Sequence, residues 1–395
     1  MIDRPDLLTL EEILRLSDDE KAAFGLKYTP SEIAQQPETW GETVEIVSSY
    51  RSRVENFLAE CRPTNVLLIG AGTSDYIGRA VAPALRQEWK TNVAAIPSTD
   101  LLTEMDKFVE AGSTDHRDLW ISFSRSGDSF EGVKILERAF ERYADIHHLI
   151  ITCSKDGRMA EMSKGRENVL CLVLDDKVND RGLAMTSSFT NMVVAGLSLA
   201  QIHRLDDLGS TISQISKIAR LQLNKISEIA RSVAQEKHDR ICFLGSGALK
   251  AVADESALKV LELSGGYHST MAESFLGLRH GPLSWLNKSA LVVGFVSNDP
   301  ETAKVELGLL SEVRGKKAAG SILAIAPADC AAEAIADLSV SLSIPKGLAD
   351  DLLTPIYVLC AQTLGLYSSL ACGLLPDTPS ADGKIQRVVS DITFA

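Results

Sequence analysis

The chain has 395 residues, 45% of them hydrophobic and 24% charged, with 27 Gly and 13 Pro, which excludes a disordered or fibrous protein and implies two or three domains. A net charge of −13 repels phosphate backbones and anionic lipid headgroups, so neither nucleic acid nor a membrane surface is an expected partner, and an anionic ligand would need local N–H and hydroxyl donors. The seven cysteines lack CxxC spacing and read as core residues of a reducing compartment; with no basic segment and apolar run in MIDRPDLLTLEEILRL, a cytoplasmic location is expected.

Residues 1–50 read as a helical extension, in which Thr29-Pro30-Ser31-Glu32 has the capping-box pattern with Pro at the first helical position. Short apolar runs then alternate with helix-period segments, the pattern of β-α units with parallel strands. Val66 to Gly70 (VLLIG) feeds a helix through Leu85, and further strands start at Leu119 (LWISFS), His148 (HLIITC) and Val169 (VLCLVL). An uncharged stretch from Gly182 to His203 closes this set. It is long enough to span a membrane, but Thr186, Ser187, Ser188, Thr190 and Asn191 make a buried helix the better reading.

The same order then returns. Ile241 to Gly245 (ICFLG) feeds a helix through Ser264, strands start at Leu291, Ser321 and Leu338, and an uncharged stretch from Leu352 to Leu375 closes the set. The offset from Val66 to Ile241 is 175 residues, far beyond the roughly 20 to 50 of a solenoid repeat, so the chain is a domain duplication. The expected fold is α/β: two tandem doubly wound parallel-sheet domains of three layers each, at 51–212 and 213–375, with a tail at 376–395 over the site.

Function should sit where the copies differ. The first carries SFSRSGDSFE, with Ser122, Ser124, Ser126 and Ser129, where the second has GFVSNDPETA with one serine. A second loop, GAGTSDYIG, presents Thr73 and Ser74 at the end of the first strand. Hydroxyls and N–H groups at helix N-termini suit a phosphate; at either loop alone they would equally read as ordinary caps, and both in one domain favour phosphate. A dinucleotide fingerprint fails because Asp75 stands where its third Gly belongs.

The second copy holds ionisable residues instead. Glu255, Lys259 and Glu262 share a helix face, which alone reads equally as a surface salt-bridge ladder. Glu262 lies in the last turn before Gly265-Gly266, where the helix dipole disfavours an ionised carboxylate, the direction a general base requires. His280 stands in a Leu-Arg-His-Gly-Pro turn; His268 and Glu273 are weaker candidates. With no HExxH, HxH or paired Cys/His spacing, neither a metal nor any other cofactor is expected.

GAGTS, S-x-S-G-x-S, ESALKVLE and RHGP, in this order, resemble the double sugar isomerase (SIS) domain enzymes. YTPSEI, DRGLAMTSSFT, DTPSADG and IQRVV look closest to the D-galactosamine-6-phosphate deaminase/isomerase branch, formerly described as tagatose-6-phosphate ketose/aldose isomerase. The chain is also similar to the isomerase half of glucosamine-6-phosphate synthase. These resemblances imply phosphate binding by Thr73, Ser74, Ser124, Arg125, Ser126 and Ser129, proton transfer by Glu262, and ring opening by His280 of a neighbouring subunit in a homodimer. Lys384 falls on the family's tail lysine, which can form a Schiff base.

The Glu-to-His interval is 18 residues, two more than in the synthase. The chain begins Met-Ile without a glutaminase domain, so deamination is the expected direction: D-galactosamine 6-phosphate and water to D-tagatose 6-phosphate and ammonium. The alternatives are an aldose/ketose phosphate isomerase without deamination, a glucosamine-6-phosphate deaminase, and a sugar-phosphate sensor. Against the sensor, the residues before Glu55 hold more acids than bases and no basic DNA-reading helix.

Overall fold

The apolar runs fold as parallel strands of two sheets in a computed structural model that describes residues 4–109, 117–236, 238–380 and 382–389. Helices α1 (Leu10–Leu14), α2 (Asp18–Phe24), α3 (Thr29–Ala34), α4 (Gln36–Ser49) and α5 (Arg51–Cys61) come first. The first sheet and its helices follow as β1 (Asn65–Gly70), α6 (Thr73–Trp89), β2 (Asn92–Pro97), α7 (Ser98–Glu104), β3 (Asp118–Ser124), α8 (Phe130–Arg142), β4 (His147–Thr152), α9 (Arg158–Ser163), β5 (Val169–Val173) and α10 (Ser187–Ala200). After α11 (Leu205–Gln235) come β6 (Arg240–Leu244), α12 (Ala248–Leu263), β7 (Ser269–Glu273), β8 (Ala290–Phe295), α13 (Pro300–Gly315), β9 (Ser321–Pro327), β10 (Leu338–Leu342) and α14 (Thr354–Ala371).

The strand orders are β2-β1-β3-β4-β5 and β10-β9-β8-β6-β7, the same topology twice, with every pairing parallel. The strands of β1, β3 and β8 are buried along their whole length, as sheets covered on both faces require. The expected duplicated α/β fold is therefore present. The sequence reading lacks two edge strands: β2, a short run of small and apolar residues between Asn92 and Pro97, and β7, which is mixed in polarity.

The chain packs as two compact units, each holding one sheet. One comprises Glu38–Asp180, Ser187–Ile212 and the tail from Ile385; the other comprises the chain up to Pro37, Arg181–Thr186 and Ser213–Lys384. Helices α1 to α3 thus belong with the second sheet and α4 and α5 with the first.

The two uncharged helices, α10 and the body of α14, are buried, each packed on the first helix of its own sheet. Close approach explains a glycine in each: a Cβ on Gly196 would come 2.6 Å from Val81, and one on Gly365 would come 2.6 Å from Leu263. Among the described residues no helix is long and apolar enough to cross a membrane.

The capping box expected at Thr29 does not form. Thr29 lies within α3 after Tyr28, and the Glu32 carboxylate accepts the backbone N–H groups of Arg181 and Gly182 instead. Buried long-range donors have taken a carboxylate that a local rule assigned to its own helix. Capping boxes form at Thr9 with Glu12 and at Ser17 with Glu20.

Candidate active site

In the order β2-β1-β3-β4-β5 the winding reverses between β1 and β3, which opens a crevice at their carboxyl ends. Both hydroxyl-rich loops lie there. After β1 the chain turns through Gly72 (φ 55°), and Thr73 and Ser74, both buried, begin α6. After β3, Ser124 Oγ accepts the Gly127 N–H and Ser126 Oγ accepts the Asp128 N–H, both at 3.1 Å. These two serines shape the loop by accepting, which leaves each hydroxyl proton to be donated. Ser129 occupies the N-cap position of α8 without a side-chain cap bond, and Gly72 has no side chain to cap α6.

Arg125, in the same loop, is buried, and its Nη2 donates to the Arg387 carbonyl at 2.5 Å. The Arg387 guanidinium donates to Asp180 O and Asn179 Oδ1, each at 2.7 Å. The Asp180 carboxylate in turn accepts the Ser187 and Ser188 N–H groups at 2.9 Å, capping α10. The tail from Ile385 is thereby fastened beside the Ser124–Ser129 loop.

The second sheet repeats the backbone of this corner with fewer hydroxyls, and those of Ser246 and Ser297 are spent on Glu306 and Asp350. Gly247 (φ 56°) repeats Gly72, yet the donors after β8 meet acids: Ser297 N–H reaches Glu306 Oε2 at 2.7 Å and Asn298 N–H reaches Asp350 Oδ1 at 2.8 Å. Burial pushes the Glu306 carboxyl up to about 7, against the hydrogen bonds from Ser297 and Ser246 that pull it down. Where the first copy presents donors, the second has filled the place with its own carboxylates.

The acid-base residues on α12 are not a surface ladder. Lys259 is 1% exposed and Glu255 wholly buried; Lys259 Nζ lies 2.6 Å from Glu262 Oε2 and 3.5 Å from Glu255 Oε1. Desolvating such a triad opposes its Coulombic gain, so stability alone is a poor reason for it. Glu262 is the more accessible carboxylate, its side chain 24% exposed in the last turn of the helix, as its spacing predicts.

His280 is exposed in the β7–β8 connection, between the turns Gly277–Arg279 and Pro282–Trp285. Lys384 is exposed and 2.6 Å from Asp382, whose hydrogen bond and charge push its pKa up, whereas Schiff-base formation needs the free amine. Glu273 ends β7 and accepts the Ser274 N–H at 2.7 Å. His268 is buried against the His238 carbonyl at 2.7 Å, and burial lowers its pKa, the character of a core histidine. Among the described residues no cluster of His, Cys, Asp and Glu is placed to hold a metal ion.

Residues 58–202 match the SIS domain family. The chain is 37% identical to AgaS of Streptomyces coelicolor over 93% of this chain and 95% of that one. It is 35% identical to D-galactosamine-6-phosphate deaminase AgaS of Escherichia coli over 92% of this chain and 94% of the relative. The chain belongs to the SIS-domain family, with AgaS proteins as relatives along almost its whole length. Among solved SIS-fold structures, tagatose-6-phosphate ketose/aldose isomerase from Escherichia coli is 34% identical and matches with a TM-score of 0.82 over 89% of this chain and 94% of that one. The C-terminal domain of glucosamine-fructose-6-phosphate aminotransferase from Francisella tularensis, at 19% identity and a TM-score of 0.72 over 91% of this chain and 98% of that one, shares the fold.

Proposed function

We propose that this SIS-family chain converts D-galactosamine 6-phosphate and water into D-tagatose 6-phosphate and ammonium. The observation that carries the reading is the 35% identity to D-galactosamine-6-phosphate deaminase AgaS across 92% of the chain. The 6-phosphate docks on Thr73, Ser74, Ser124, Arg125, Ser126 and Ser129. His280 helps open the pyranose to the aldehyde. The Glu262 carboxylate, oriented by Lys259, removes the proton from C2 and returns one to C1, so that C1 becomes a hydroxymethyl group and the C2 amine an imine. Water adds to the imine carbon and ammonia leaves, giving the C2 ketone. Proton transfer and hydrolysis balance this reaction without a change of oxidation state overall.

In this reading the enzyme is a cytoplasmic homodimer in which His280 completes the partner's site. Tyr267 and Leu276, exposed at 69% and 49% in the stretch of chain that leads to His280, are the kind of apolar side chain that a subunit interface would cover. Lys384 has no step in the mechanism, since the substrate supplies its own amine.

The test is ammonium release from galactosamine 6-phosphate, with glucosamine 6-phosphate alongside as its C4 epimer. Release from the galacto compound alone is expected. Release from the gluco compound alone would make the chain a glucosamine-6-phosphate deaminase. The likeness to tagatose-6-phosphate ketose/aldose isomerase favours a second reading, isomerisation without deamination; an absence of ammonium from both epimers would leave that reading or a sugar-phosphate sensor, and aldose/ketose phosphate interconversion separates the two.

A further inference from the structure

Three motifs of the sequence, YTPSEI, DRGLAMTSSFT and DTPSADG, have no part in the chemistry above, yet the fold brings their residues together. Asp377, at the head of the tail and 8% exposed, accepts N–H groups from Lys27 at 2.7 Å, Tyr28 at 3.1 Å and Thr29 at 2.8 Å. Its own N–H donates to Gly25 O at 2.9 Å, and its carbonyl accepts the Leu183 N–H at 3.0 Å. Glu32, from the same turn as Thr29, holds the N–H groups of Arg181 and Gly182. A carboxylate that collects three backbone donors is a fixed point, because charge-assisted bonds are strong and each of its donors belongs to an ordered helix entrance.

Ten residues further along the chain the tail is fixed again. Arg387 binds Asn179 and Asp180 through its guanidinium and receives the Arg125 guanidinium on its carbonyl. Arg125 is thus shared: it belongs to the loop that takes the phosphate and it holds the tail.

We propose that Asp377 and Arg387 are positioning residues that strap the tail onto the sugar-phosphate loop, and that the N-terminal extension serves as the mount for Asp377. The inference rests on the phosphate-binding role of the Ser124–Ser129 loop. Coupling follows from the shared guanidinium: a bound phosphate orders Arg125, ordered Arg125 holds Arg387, and by reciprocity a fastened tail tightens phosphate binding. Neither residue touches the reacting carbons, so their loss should appear in KM more than in kcat.

The experiment follows trypsin cleavage after Lys384 in the full chain, with and without inorganic phosphate, together with KM and kcat, for the wild type, Asp377→Ala and Arg387→Ala. We expect phosphate to protect the wild type, and both variants to be cut faster and to raise KM, each by about tenfold or more, with a smaller fall in kcat. Arg387→Ala leaves the Asp377 junction intact, so it reads the strap even if Asp377→Ala does not fold. Unchanged cleavage and KM in Arg387→Ala would overturn the inference. Faster cleavage in the variants without phosphate protection of the wild type would support the anchor and instead remove the phosphate role of the loop.

Discussion

Lys259 Nζ lies 2.6 Å from Glu262 Oε2, and both side chains spring from one face of α12, so the proposed base is held by a buried cation of its own helix. The pair separates two kinds of effect. Glu262→Gln keeps the shape and removes the base; turnover should fall by about 100-fold or more while inorganic phosphate still binds. Full turnover in that variant, followed as ammonium release, would remove Glu262 from the mechanism.

Lys259→Met should do something different. It removes the cation 3.5 Å from the buried Glu255, and breaking a buried ion pair from one side costs about 3 to 5 kcal/mol, to be read in urea unfolding. A second change, Glu255→Gln, should recover most of that loss without restoring turnover.

The phosphate loop predicts a binding defect. Ser126→Ala removes one hydroxyl donor and the acceptor of the Asp128 N–H, and should raise KM by about tenfold with little change in kcat. A variant with normal KM and normal affinity for inorganic phosphate would exclude Ser126 from the seat.

Glu306 gives a pH signature. Its carboxyl titrates near 7 in the fold, raised from 4.5, so its contribution to stability is fully present below pH 4.5 and is lost as pH rises through 7. Besides Ser297 and Ser246, the charges that act on it are Asp350 and Asp299, both of which favour the protonated form. Glu306→Gln should therefore gain on the wild type by about 3 kcal/mol between pH 4.5 and pH 8, measured as unfolding free energy at each pH. A constant difference would contradict the buried, proton-binding carboxyl.

His148 works in the opposite sense. Buried between Trp120 and Phe140, it is pushed down to about 3 by desolvation and then by the charges of His147 and Arg166. Its contribution is present above pH 6.5 and is lost as pH falls towards 3. His148→Phe should flatten the acid limb of the stability curve, whereas an unchanged acid midpoint would place the acid sensitivity elsewhere.

The eight expected strands are present, and the central ones β1, β3 and β8 show why: a parallel strand covered on both faces carries a largely apolar sequence. Of the two strands not expected, β7 is mixed in polarity and β2 is a run of only four apolar residues, half of them alanine, ended by Pro97. The hydroxyl loops were legible because a duplicated chain supplies its own comparison. Helix spacing put Glu255, Lys259 and Glu262 on one face, but spacing cannot say whether that face meets water or core. Glu306 had a usable signal: it falls in register with the buried Ala303, Leu309, Leu310 and Val313, where a carboxylate is out of place. The motifs of the Asp377 junction were visible through the family resemblance, but their contact was not, since Lys27 to Thr29 lie some 350 positions from Asp377 in the sequence.

The acid-filled corner of the second sheet also bears on how the molecule responds to its ligand. With Glu306 and Asp350 in place, the Ser297 and Asn298 N–H groups of that corner already have their acceptors within the unit. The first unit keeps a set of oriented hydroxyl donors whose complement arrives only with the sugar phosphate. Ligand should therefore slow amide exchange around β1, β3 and the tail at Arg387 and leave the Ser297–Asn298 corner after β8 at its resting rate, so that two copies of one topology answer the same ligand differently at the same place in the fold.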